Sequence, residues 1–98
     1  MDDWDALRVP LEAACEEPED EERIKRAVDA AELVASASGA PPDELPDEAR
    51  EWVETHGVPP EELVELACRS MKRVAGANEW WRERLLDLRY RLGDVAAP

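Results

Sequence analysis

At 98 residues with a formal net charge of −13, the chain is sized for one domain, since a split would leave two pieces each too small to bury a stable core. It is 44% apolar, yet its aromatics are four Trp and one Tyr with no Phe; no stretch alternates apolar and polar residues for long enough to suggest a sheet, so the pattern reads as all-α. The acid load opposes direct nucleic-acid binding and attraction to anionic lipid, and makes a basic protein surface its electrostatic complement.

Taken in chain order, the first predicted helix spans about 3–16, with Trp4, Leu7, Leu11, Ala14 and Cys15 on one face. Pro10 interrupts that pattern, so the helix either kinks there or starts near it. Pro18 opens a second helix, about 19–38, whose early acids Glu19 to Glu22 suit the positive helix end. Its stripe is Ile24, Ala27, Val28, Ala31, Val34, Ala35 and Ser38, which leaves Leu33 on the opposite side as a candidate exposed residue.

Gly39-Ala40-Pro41-Pro42 reads as a linker, 39–42, between a helix pair at 3–38 and a three-helix part at 43–93, all within one domain, 1–98. The third helix runs from Asp43 or Pro46 to His56 and stops at Gly57, with Val58 folding back on it. A fourth, about 60–75, buries Leu63, Ala67, Ser70 and Val74, widened by Val64, Cys68 and Met71, and ends at Gly76. Asn78 then caps a fifth, about 79–92, before Gly93. The expected architecture is about five short helices in a bundle or an orthogonal array.

That fifth helix is apolar on two sides. Trp81, Leu85, Leu88 and Leu92 form a core-facing seam, while Leu86 and Tyr90 point nearly the opposite way and Trp80 projects about 100° from Trp81. Trp80, Arg82, Arg84, Leu86, Arg89 and Tyr90, with Arg91 beside them, are therefore the candidate partner interface, for a second copy or another protein. A second candidate is an acidic surface made of Glu16, Glu17, Glu19, Asp20, Glu21 and Glu22 with Asp43, Glu44, Asp47, Glu48, Glu51 and Glu54. Spaced carboxylates of this kind can imitate a phosphate ladder, as in phage antidefence inhibitors of host nucleases, an analogy of charge and size only. Residues 1–68 hold 21 acids and 5 bases, whereas 69–98 hold 4 acids and 7 bases, so an acidic body carries a mildly basic end.

Catalytic and cofactor chemistry finds no foothold in the sequence. His56, the sole histidine, falls at a helix C-terminus, where a structural role is expected. Cys15 and Cys68 lie on apolar helical positions without CxxC or His neighbours and read as buried free thiols. The Glu-x-x-His spacing of a di-metal bundle is missing, since His56 follows Glu54 by two, and P-loop, EF-hand and dinucleotide fingerprints are absent. No serine stands at a helix start, as a phosphopantetheine carrier requires.

No apolar run is long enough for a bilayer span, and the acidic start Met1-Asp2-Asp3-Trp4 is unlike a secretory signal, which sets a cytoplasmic expectation. The sequence thus reads as a small acidic non-enzymatic protein-binding protein, an inhibitor or adaptor, one form of which is an antidefence-type inhibitor that blocks a basic nucleic-acid-binding surface by charge mimicry. The alternative is a DNA-associated transcriptional regulator using a helix-turn-helix-like pair over 60–92, with Arg82, Arg84, Arg89 and Arg91 for phosphates and bases.

Overall fold

An aspartate begins the first helix: the Asp3 carboxylate Oδ1 accepts the Ala6 backbone N–H at 3.1 Å, satisfying one of the donors that a helix start leaves open. In the computed structural model, which describes residues 3–37 and 47–93, α1 then runs Trp4–Glu16 straight through Pro10. The proline neither starts nor ends the helix; it removes one N–H, and packing of Trp4, Leu7, Leu11 and Ala14 into the core carries the segment across the gap. Asp20 repeats the capping device for α2, Glu21–Ala37, by accepting the Arg23 N–H at 3.2 Å, so α2 starts after Asp20 rather than at Glu19.

The remaining helices are α3, Asp47–His56; α4, Glu61–Ala77; α5, Glu79–Arg84; and α6, Leu86–Leu92. The described residues are helical and hold no strand, and none of their helices is long and apolar enough to cross a membrane. The linker expected at 39–42, together with Ser38, Asp43, Glu44 and Pro46, lies outside the described residues.

α1, α2 and α4 pack on one another around a core that includes Leu7, Leu11, Ile24, Val34, Leu63 and Met71, and Leu85, Leu88 and Leu92 close it from the C-terminal side. Two long-range bonds fasten the ends of α1 and α4: Arg73 Nε donates to the Cys15 carbonyl at 2.8 Å, and Asn78 Nδ2 donates to the Pro18 carbonyl at 3.0 Å. Asn78 therefore spends its side chain on the α1–α2 turn and makes no side-chain cap for α5.

Several sequence expectations need correction. Leu33 is buried, because α2 is packed by α3 and α6 as well as by α1 and α4, so its apolar band is wider than a single stripe. Gly76 does not end α4 but sits inside its last turn, and Val58 does not fold back but stands 83% exposed. Gly57 and Gly93, at φ of 70° and 87°, do terminate α3 and α6 in the left-handed conformation that glycine adopts at least cost. Cys15 and Cys68 are free thiols, but both are partly exposed rather than buried.

The predicted fifth helix is two. Leu85, at φ −92° and ψ −4°, breaks it; the chain resumes at once, with Leu85 N bonded to the Trp81 carbonyl at 2.9 Å and Arg89 N to the Leu85 carbonyl at 2.8 Å. Among the described residues six helices thus stand where about five were expected.

Candidate protein-interaction surfaces

One residue, Asn78, separates α4 from α5, so α5 leaves the core at a tight corner. Arg82 Nε donates to the Ala75 carbonyl at 3.2 Å, bracing that corner against the end of α4. α6 then docks through Leu88 and Leu92, and Cys68 Sγ donates to the Leu92 carbonyl at 3.5 Å. On its flank, Arg91 holds Glu32 of α2 and Asp87 of its own helix. These carboxylates, the Glu32 hydrogen bonds foremost, raise the guanidinium pKa above its already high ordinary value, so the cation is fixed at any working pH.

With α5 and α6 so fastened, Trp80, Leu86 and Tyr90 are left outside at 54%, 47% and 50% exposure. Leu86 and Tyr90 are one turn apart on α6 and share a face. Trp80 meets Trp81 edge to face at 4.8 Å, and Arg84 lies over the Trp80 ring with its guanidinium carbon 3.5 Å from the centroid. Arg84 Nη1 also donates to the Trp80 carbonyl at 2.9 Å, which fixes the stack in place. Arg82 is exposed and Arg89 half-buried along the same two helices. All six candidate interface residues therefore stand on α5–α6, but the Leu85 break shifts Trp80 and Arg84 onto a segment separate from Leu86 and Tyr90.

The acidic residues divide into two groups. Glu16, Glu17, Glu19, Asp20, Glu21 and Glu22 surround the α1–α2 turn, and all are exposed. Asp47, Glu48, Glu51 and Glu54 are exposed on α3, while Asp43 and Glu44 lie outside the described residues. α3 docks at the other end of α1, where Trp52 packs edge to face on Trp4 at 4.7 Å and Trp4 Nε1 donates to the His56 carbonyl at 3.1 Å. The two groups are thus about 20 Å apart along a 13-residue helix. Among the described residues, only Asp20 of these ten carboxylates is in an ion pair, with Arg23 at 3.8 Å.

His56 stacks on Trp52 at 4.0 Å, and its Nδ1–H donates to the Trp52 carbonyl at 2.8 Å, one turn back along α3. The ring closes the helix end and belongs to the Trp4–Trp52 cluster. Among the described residues no group of three His, Cys, Asp or Glu is placed to hold a metal ion. Sequence reasoning missed the Glu32 partner of Arg91 and the Trp4–His56 bond, since both join positions more than fifty residues apart.

A family model described as a domain of unknown function, DUF4259, matches residues 2–87. No curated protein matches the chain, and no solved structure does.

Proposed function

The chain belongs to the DUF4259 family, and on that premise we propose that it is a non-enzymatic protein-binding module, an inhibitor or adaptor, that engages its partner through the α5–α6 face. The observation that carries this reading is the exposure of Trp80, Leu86 and Tyr90 on the α5–α6 segment, which also buries Leu85 at its break and Leu88 and Leu92 on α6. Five large apolar residues stand exposed among the described ones, and three of them fall within 79–92. Trp, Tyr and Arg are the side chains that most often anchor protein interfaces, and here Trp80 is already ordered by Arg84. A second copy of the chain and a different protein are both suitable occupants. The absence of chemistry of its own rests on the sequence, together with the engagement of the one histidine in an aromatic cluster.

The test is affinity capture from the native cell with wild-type protein and with a Trp80→Ala, Leu86→Ala, Tyr90→Ala variant, alongside sedimentation of each. Loss of a specific partner, or of self-association, in the variant supports the reading; identical capture and identical mass sink it.

Charge mimicry is the second reading, favoured by ten exposed carboxylates of which, among the described residues, only Asp20 is in an ion pair. In it the acidic body occupies the basic nucleic-acid channel of a target protein, as an antidefence inhibitor would. Competition with DNA or RNA for that target, weakening with salt, supports it, and salt-insensitive binding counts against it. The DNA-regulator alternative has less to support it. Its recognition helix is broken at Leu85, and Arg82, Arg84 and Arg91 are turned to partners within the chain.

A further inference from the structure

α1 carries a second apolar stripe that the core does not use. Ala6, Val9, Pro10 and Ala13 line an open groove against α2, and on an ideal helix they lie about 130° around from Trp4, Leu7, Leu11 and Ala14. Val9 stands 70% exposed at its centre. The stripe is about 10 Å long, two helical turns, and its small side chains, with Ala30 on the α2 side, permit close approach of another helix.

The α2 wall of the groove supplies Arg23 and Arg26. These are two of the five bases in residues 1–68, gathered on one face of an otherwise acidic body. Arg23 has only a loose, exposed contact with Asp20 at 3.8 Å. Arg26 is exposed and has no ion pair among the described residues, although Asp29 borders the same groove. Two guanidiniums over an apolar floor complement a helix with an apolar ridge and carboxylates beside it.

We propose that the α1–α2 groove is a docking site for an amphipathic helix of a partner protein whose apolar ridge is flanked by carboxylates. This surface is distinct from the α5–α6 face. The net charge of −13 would by itself select a basic helix. At physiological salt, however, fields are screened within about 8 Å, so at contact the two guanidiniums of the groove lining, Arg23 and Arg26, outweigh its one carboxylate, Asp29, and more distant acids count for little.

The test uses two synthetic helical peptides with the same leucine ridge, one flanked by Glu and its twin by Lys, titrated into the full chain by fluorescence anisotropy at physiological salt. The Glu peptide is expected to bind about tenfold tighter than its twin. The double variant Arg23→Glu, Arg26→Glu reverses that order, and Val9→Asp abolishes Glu-peptide binding; all three positions are solvent-facing, and circular dichroism verifies the fold. The Trp80→Ala, Leu86→Ala, Tyr90→Ala variant binds the Glu peptide unchanged, which separates this site from the α5–α6 reading. Tighter binding of the Lys twin to wild type, no binding of either peptide, or indifference to the arginine reversal overturns the proposal.

Discussion

Arg91 grips Glu32 with both prongs of its guanidinium, Nη1 to Oε2 at 2.8 Å and Nη2 to Oε1 at 2.9 Å, across 59 positions of sequence. Its Nε donates to Asp87 at 2.8 Å, so one cation binds α6 to α2 and also spans a turn of α6. The Arg91 side chain is 11% exposed and Glu32 29%, a setting between a surface pair and a buried one. Removing the acid should leave the better-buried cation short of partners. Glu32→Ala and Arg91→Ala are each expected to cost about 1–3 kcal/mol in urea unfolding, and a double-mutant cycle should return a coupling of about 1 kcal/mol. Strict additivity would show that the fork contributes nothing.

Gly76 lies within α4, at a helical φ, and a Cβ built there meets nothing within 4 Å. Gly76→Ala should therefore stabilise the protein by about 0.5–1 kcal/mol, raising the melting temperature by about 4–8 °C per kcal/mol. A glycine that ended the helix in the left-handed region would give the opposite sign, so this substitution tests where α4 stops.

α3 contains no fully buried residue; Ala49 and Val53 lean on the core and α3 touches α2, while its tie to α1 runs through Trp52, His56 and their contacts with Trp4. Trp4→Phe keeps a ring in the core but removes the indole donor to the His56 carbonyl. The expected result is faster amide exchange over 48–56 by about five- to tenfold, with α1 and α4 protected as before. Uniform acceleration would mean that α3 does not open independently.

Leu85 and Leu86 are neighbours with opposite surroundings, 2% and 47% exposed. Leu85→Ala is expected to lose about 2–4 kcal/mol, whereas Leu86→Ala changes stability by less than about 0.5 kcal/mol. Chemical denaturation of the pair checks this, and equal losses would show that Leu86 packs against its own chain.

The excess of carboxylates should make salt stabilising. Raising ionic strength from low to physiological values is expected to increase the melting temperature, because screening relieves repulsion within a body of net charge −13 more than it weakens a few exposed ion pairs. A lower melting temperature in salt would mean that the ion pairs outweigh the repulsion.

Helical periodicity made most of this fold legible. Trp4, Leu7, Leu11 and Ala14 are buried as their spacing requires, and so are Leu85, Leu88 and Leu92. The same pattern set Trp80, Leu86 and Tyr90 apart from the seam, and they are exposed. It failed at Leu33, where burial depends on how many helices surround α2, a property of the assembly that a single wheel does not contain. It failed also at Leu85, because a residue that still bonds helically on both sides leaves no Pro or Gly to mark the break. Gly76 was misread for the converse reason: glycine is a common helix stop, but an Ala and an Asn follow it and the helix has one more residue to run.

The stitches from Arg73 to Cys15 and from Asn78 to Pro18 also govern when the protein can be made. The opening helix is translated first and α2 covers part of its greasy side at once, yet the rest of its shelter arrives only with residues 61–77, which leaves part of that side uncovered until then. During synthesis that part must stay wet or be shielded by a chaperone, and a nascent chain halted before α4 is complete should be degraded rather than fold.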